Sequence, residues 1–380
     1  YTGTTTSGTT AFTAASGTLT GSSTSGSGTV AVRRTPCSST YLATTSAVRY
    51  GLPYEWDTSG ALQGILVEPQ ATNLIPNSTA PTAANGWSVS TSAVSASGTA
   101  PDGTNTAVLY TDPGTSGYYY YTVSVSANTV YTFSFFKKAG TKNSSIVAFY
   151  DAVAASFITQ NATTTETSVG NGWSRVSASV TTPVGCTSLR IYISRNDVAG
   201  TIYVWGVQLE TGSVATSPII TYGSTVTRVA DNISLATSAF PAMTGSYSIF
   251  AQAELPSGTN GGYPIFVRMR NAASTEVASL NANTTGVIKL YAVSAGAVVA
   301  DLSSGVTQTS GVTFKVAGSW ATNAFIVCAN GSAVASNTSG TVPGSFSLVE
   351  FVGQYAPYNM KKIMVIPRGM SNAELQAITA

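Results

Sequence analysis

Histidine is absent from this 380-residue chain. That absence excludes imidazole general bases, Ser-His and Cys-His nucleophilic pairs and His-ligated zinc together. Charge is nearly as scarce: Lys and Arg number 17 and Asp and Glu 15, so charged side chains make up 8 % of the chain, where about 25 % is usual. A net charge of +2 without a basic cluster argues against nucleic-acid binding, which needs grouped Lys and Arg to displace phosphate counterions. It argues equally against a polybasic segment that would bind anionic lipid. Cys37, Cys186 and Cys328 are odd in number and far apart, so they suit neither a disulfide framework nor a metal site and read as small buried apolar residues. No stretch approaches the roughly twenty apolar residues of a membrane-spanning helix. The opening Tyr1-Thr-Gly-Thr has no basic region leading into an apolar run, so no signal peptide is read there. Its lack of methionine suits a processed chain or a piece of a longer one.

What is present is apolar and β-forming. At 43 % hydrophobic the chain has material for sizeable cores, and its length suits two or three domains. Residues 1–30 are almost wholly Thr, Ser and Gly, with no charge before Arg33. Such a stretch cannot bury enough apolar surface alone. Residues 1–60 therefore read as an extended N-terminal arm and lead-in making attachment or oligomer contacts, with a flexible linker as the other reading.

From 61 to 212 the pattern is strand-like throughout. Val130-Tyr-Thr-Phe-Ser-Phe puts Tyr131, Phe133 and Phe135 on one face. Ser188-Leu-Arg-Ile-Tyr-Ile-Ser turns Leu189, Ile191 and Ile193 inward and Arg190 and Tyr192 outward. Along Thr201-Ile-Tyr-Val-Trp-Gly-Val-Gln-Leu, period two aligns Tyr203, Trp205, Val207 and Leu209. Alternation with one wet face marks antiparallel sheets packed as a sandwich. Residues 213–240 read as a Ser/Thr/Pro-rich linker. Residues 241–380 form a second β module, with Tyr247, Ile249, Ala251, Ala253 and Leu255 alternating along one strand. It closes on the chain's one good helix signal, the capping box Ser371-Asn-Ala-Glu374, which would turn Leu375 and Ile378 toward the sheet. The expected fold is all-β: two antiparallel β-sandwich, jelly-roll-like modules behind an extended arm.

Several phrases resemble a widespread family of tailed-phage virion structural proteins of the fibre, spike or head-appendage type. They are Gly64-Ile-Leu-Val-Glu68, Thr72-Asn73-Leu and Asn77-Ser; Gly172-Trp173-Ser-Arg175; Val204-Trp205-Gly-Val-Gln208-Leu-Glu210; and Ala215-Thr-Ser217-Pro with Thr227-Arg228 and Asp231. The resemblance implies a jelly roll similar to carbohydrate-binding modules over 61–212. Val316-Ala-Gly-Ser-Trp320 and Phe325-Ile-Val-Cys-Ala-Asn330-Gly331 resemble a concanavalin-A or laminin-G sandwich over 241–380. Leu52-Pro-Tyr-Glu-Trp-Asp57 departs from the family's usual lead-in.

Each candidate residue has two readings. Glu68, Thr72 and Asn73 form a polar cluster that would satisfy backbone groups where the chain enters the sandwich, or would touch a ligand or ion. Trp173 and Trp205 lie within alternating strands and read as core, with ligand stacking as the alternative. Gln208 and Glu210 suit a buried hydrogen-bond network. Glu68, Glu210 and Asp231 are conceivable calcium ligands, but no dense acidic loop supports one; no other cofactor or metal is expected. Consecutive tyrosines Tyr118, Tyr119, Tyr120 and Tyr121 must divide between the two faces of a strand, so one pair lies outside the core. Those outward rings, and Trp87 beside a turn, would stack on sugar or pack on a neighbouring subunit.

The expectation is a non-catalytic virion-surface appendage that attaches to host cell-surface glycan. Its partners would be other virion subunits, copies of itself (a trimer by family habit) and host polysaccharide, with neither nucleic acid nor membrane insertion. A purely architectural decoration or joint protein is the alternative. A polysaccharide depolymerase comes third, because its two carboxylates can meet in space without being neighbours in sequence.

Overall fold

The computed structural model describes residues 62–240, 243, 245–256, 264–353 and 356–380, and the backbone alone of strands within 2–31 and of 54–56. Side chains of 94–96 and 239 are likewise not described. In the arm, Thr2–Thr5 pairs with Gly28–Ala31 and Gly8–Ala14 with Gly17–Ser23. The rest of the expected arm, 32–53 and 57–60 included, lies outside the described residues.

Among the described residues the protein is all-β with antiparallel pairing throughout and one short α-helix. The first sandwich faces a six-stranded sheet with a five-stranded one. The six run Thr165–Gly170, Trp173–Thr181, Val130–Ala139, Gly200–Thr211, Ala107–Asp112 and Ser92–Gly98. The five run Ser156–Thr159, Ala148–Asp151, Ser188–Arg195, Tyr118–Ser124 and Ser88–Val89. Between them Tyr131, Phe133 and Phe135 meet Leu189, Ile191 and Ile193, the inward sets that alternation predicts. Lys142 bridges one end of the sandwich, its ammonium 2.6 Å from Asp112 and 3.0 Å from Asp197, with all three side chains buried.

The Gly200–Thr211 strand departs from simple alternation. Val207 and Leu209 join the inter-sheet core, whereas Tyr203 and Trp205 sit on the opposite face with Phe136 and Trp173. The cause is a bulge: Ser134 pairs with Gln208 but Phe136 with Trp205, so one strand carries an extra residue. Gly206 supplies it at φ +62°, a left-handed backbone, and a Cβ there would lie 2.8 Å from the Phe136 ring.

The second sandwich pairs a six-stranded sheet, from Asn232–Ala236 to Ala297–Thr307, with a seven-stranded one. The Tyr247 to Leu255 alternation points into this core as expected. Ser371 and Glu374 form the reciprocal capping box at the start of Asn372–Thr379, and Leu375 is buried against Phe250, Ala317 and Cys328. No described helix is long and apolar enough to cross a membrane.

Two expected boundaries move. Leu62–Val67, assigned by sequence to the first module, pairs with Tyr358–Met360 and puts Val67 into the core of the second. The chain changes sandwich at Glu68 and reaches the first core at Ile75. The stretch expected as the 213–240 linker is packed down from Thr216 to Thr221, with all six residues of that run buried. Its apolar Ile219 and Ile220 and the polar partners described next account for that.

Candidate functional site

The motif residues converge on the crossing between the sandwiches. Ala71–Asn73 pairs with Val226–Arg228, and Thr72 and Thr227 share a hydroxyl contact of 2.7 Å. Asn73 donates to the Val207 and Ile219 carbonyls at 3.0 and 2.9 Å and accepts from Ile75 and Leu209. Glu68 accepts from the Ser217 amide at 2.7 Å and pairs with Arg228, whose guanidinium also donates to the Pro69 carbonyl. Gln208 accepts from Ile219 and donates to Glu210, which also takes the Thr216 amide and hydroxyl at 2.9 and 2.6 Å.

This is a buried clamp, and its carboxylates are surrounded by N–H and O–H donors. Such a donor set suits an anion, whereas calcium wants converging oxygens. Glu68 and Glu210 are thereby engaged by donors of the protein itself. Among the described residues no group of three or more Cys, Asp or Glu stands close enough to hold a metal. Burial pulls the nearby Arg175 guanidinium below its ordinary range, with Glu210 and Glu68 acting in the other direction. Burial likewise pushes the Glu210 carboxyl up, against its Thr216 hydrogen bond and Arg175. Trp173 and Trp205 are buried in the same region, their ring N–H groups donating to Thr99 and Thr106. Glu68, Thr72, Asn73, Trp173, Trp205, Gln208, Glu210 and Arg228 are therefore all engaged by contacts within the protein.

The tyrosine run divides as the strand pleat requires. Tyr119 is 0 % exposed, stacked on Tyr110 with centroids 4.5 Å apart and bonded through its hydroxyl to the Pro81 carbonyl. Tyr121 packs with it around Trp87, at 5.3 Å. Trp87 does follow a turn, but only 3 % of it is exposed. Trp87, Tyr119 and Tyr121 thus serve the core and leave the set of ligand candidates.

Tyr118 and Tyr120 face away from that core. Tyr118 is 40 % exposed and lies 5.7 Å from Tyr120, which lies 4.8 Å from Tyr192. The run continues through Phe157, 5.9 Å from Tyr192, to Tyr150, 4.8 Å from Phe157. The outer face of the five-stranded sheet thus carries a continuous aromatic band across four neighbouring strands, with Tyr118 exposed, Tyr120, Tyr150 and Phe157 half-buried, and Tyr192 at its centre only 6 % exposed. Two guanidinium groups are set into it. Arg190 lies over both Tyr120 and Tyr150, 5.1 Å from each centroid, and Arg195 lies 4.1 Å from that of Phe157. Burial raises the Tyr192 phenol, with the adjoining Arg190 opposing it.

Sequence alternation marks Arg190 and Tyr192 as outward. It carries no sign of Tyr150 or Phe157 as their neighbours, because Ala148–Asp151 and Ser156–Thr159 have 4 residues each, too few to display a period, and none of Arg195, which lies past the register shift that reverses the parity of Ser188–Arg195.

The second sandwich also presents arginines on a sheet face, but in another electrostatic state. Arg268 and Arg270 both bond Glu350, at 3.0 Å and at 2.7 and 2.8 Å, and Glu350 itself is buried beneath them. Arg190 and Arg195 have no carboxylate partner among the described residues, and Arg190 Nε is buried without an acceptor.

No protein-family model and no curated sequence matches the chain. Among solved structures, a heptameric SAP-like pentraxin from Limulus polyphemus is 11 % identical at a TM-score of 0.30, covering 36 % of this chain and 70 % of its own. A toad ovary galectin in complex with thio-digalactose is 15 % identical at 0.27, over 36 % of this chain and 99 % of that one. The N-terminal tandem CBM22 domains of Paenibacillus barcinonensis Xyn10C are 9 % identical at 0.28, over 77 % and 97 %. At these scores the likeness assigns the chain neither a fold family nor a ligand.

Proposed function

We propose that this chain is a non-catalytic attachment protein that holds glycan on the outer face of its first sandwich. The carrying observation is the band from Tyr118 through Tyr120, Tyr192 and Phe157 to Tyr150. Aromatic faces with polar tips suit the apolar C–H faces and hydroxyl rims of sugar rings. A shallow band on a sheet gives a weak site, and repetition over a multivalent particle supplies the avidity. That fits a fibre, spike or head appendage on the surface of a tailed-phage particle, working as a homo-oligomer among other virion subunits. The sequence resemblance alone supports the virion setting.

Catalysis finds little support. Asp112 and Asp197 do converge, but on the Lys142 ammonium in a buried cluster with Ser194. Hydrolysis needs an acid and a base open to the scissile bond.

The test is a glycan array probed with the full chain and with its Tyr120→Ala variant. Binding by the first and its loss in the second supports the proposal. Silence on every glycan, with tight binding to virion subunits, would assign the same band to an architectural interface.

A further inference from the structure

We infer that the band selects carboxylated glycan, a polymer of uronate or sialate residues, through Arg190 and Arg195. The inference rests on the glycan-binding reading above and adds to it the chemical class of the ligand.

Cations are rare in this chain, at 17 in 380 residues, and most of those described are spent internally. Lys142 is held by Asp112 and Asp197, Arg228 by Glu68, Arg268 and Arg270 by Glu350, Lys289 by Asp301, and Lys361 by Glu254. Against that habit, two guanidinium groups share one aromatic face without an acid. Desolvating a charge is unfavourable unless something answers it. For Arg190 the rings of Tyr120 and Tyr150 and a side-chain hydrogen bond to the Tyr192 hydroxyl answer part of it, and they fix the planar group in place. Its Nε still lacks an acceptor. Arg195, over Phe157, donates to the neutral Gln160 Oε1 at 3.3 Å.

A guanidinium held flat and short of acceptors is prepared for a planar, bidentate anion, which a carboxylate is. A sugar carboxylate attached to a ring that stacks on Tyr120 or Phe157 satisfies both features at once. A neutral sugar would use the rings alone. A carboxylate without a ring would use the charge alone.

The test measures binding of the full chain to polygalacturonate and to polysialic acid. It repeats both after chemical reduction of their carboxyl groups and adds poly-glutamate as an acidic polymer without rings. The expected result is that the two acidic glycans bind, reduction weakens them roughly tenfold or more, and poly-glutamate binds no better than the reduced polymers. Arg190→Gln with Arg195→Gln should bring the acidic glycans down to the level of the reduced ones, roughly 10–100-fold, as for hydrogen bonds to charged groups. A thermal melt confirms that the variant is folded. Arg190→Lys keeps the charge without the fork and should recover only part of the affinity.

Equal binding of native and reduced glycans, both lost in Tyr120→Ala, would overturn the acid selectivity and leave glycan binding standing. Equal binding of poly-glutamate would overturn it by showing charge attraction alone. Absence of binding to every glycan would overturn the glycan reading together with this inference.

Discussion

Glu68 and Arg228, 160 residues apart in sequence, form a buried ion pair where the chain passes from one sandwich to the other. Glu68 ends the strand segment that belongs to the second sandwich, and its main chain exchanges hydrogen bonds with Asp231 as the chain returns. Gly353 closes on the same spot, so tightly that a Cβ would fall 2.0 Å from the Glu68 carbonyl. Breaking such a pair by removing one partner leaves a buried charge with nothing to answer it, at a cost of about 3–5 kcal/mol. Arg228→Met should therefore destabilise the protein by that order in urea unfolding. Arg228→Met with Glu68→Gln should recover part of the loss, and additive losses in the double variant would mean the two groups do not act as a pair.

The bulge at Gly206 makes a second prediction. Gly206→Ala forces a side chain onto a φ of +62° and against the Phe136 ring. A left-handed non-glycine costs about 1–3 kcal/mol, and the contact adds to it. The expected result is a lower unfolding midpoint with the slope unchanged. A variant as stable as the parent would show that the strand passes through this point without the extra residue.

The tyrosine run separates stability from binding. Tyr119→Ala removes a wholly buried ring from the first core and should cost about 3–5 kcal/mol. Tyr120→Ala removes a ring from the outer band, so its thermal midpoint should shift far less while glycan affinity falls several-fold. If Tyr120→Ala unfolds the protein as Tyr119→Ala does, the band is structural.

What the sequence reveals of this protein follows from how locally each feature is encoded. The core faces of Val130–Ala139 and Ser188–Arg195 are legible because a pleat repeats every two residues. The cap at Ser371 and Glu374 is legible because both partners lie within one helical turn. The partition at Gly206 is not, because one extra residue reverses the parity of everything after it while period-two reading assumes no such step. Nor is the true membership of Leu62–Val67, since its partner, Tyr358–Met360, lies almost 300 residues on. The aromatic band has the same difficulty: Tyr120, Tyr150, Phe157 and Tyr192 become neighbours only through strand order. The motif words point correctly to residues that meet, yet their shared business is the clamp, and Arg190 and Arg195 lie outside every one of them.

Two carboxylates give opposite responses to acid and can be read separately. Glu374 is held down to about 2 from the usual 4.5, first by Arg368 and then by the backbone and hydroxyl of Ser371. A depressed folded value means the folded state keeps the carboxylate that the unfolded chain would protonate. Its contribution is whole above pH 4.5 and is lost as the pH falls through about 2. The Glu210 carboxyl, raised by burial, has the reverse sign: its unfavourable charge is relieved as acid protonates it in the folded clamp. Amide hydrogen exchange can follow both. The Leu375–Thr379 amides should lose protection as the pH falls from 4.5 toward 2, and Glu374→Gln should flatten that response. The Leu209 and Thr216 amides should hold over the same interval. Ser371→Ala should cost the helix about 1 kcal/mol at neutral pH. Helix amides indifferent to acid in the parent chain would show that the Arg368–Glu374 contact does not hold the cap.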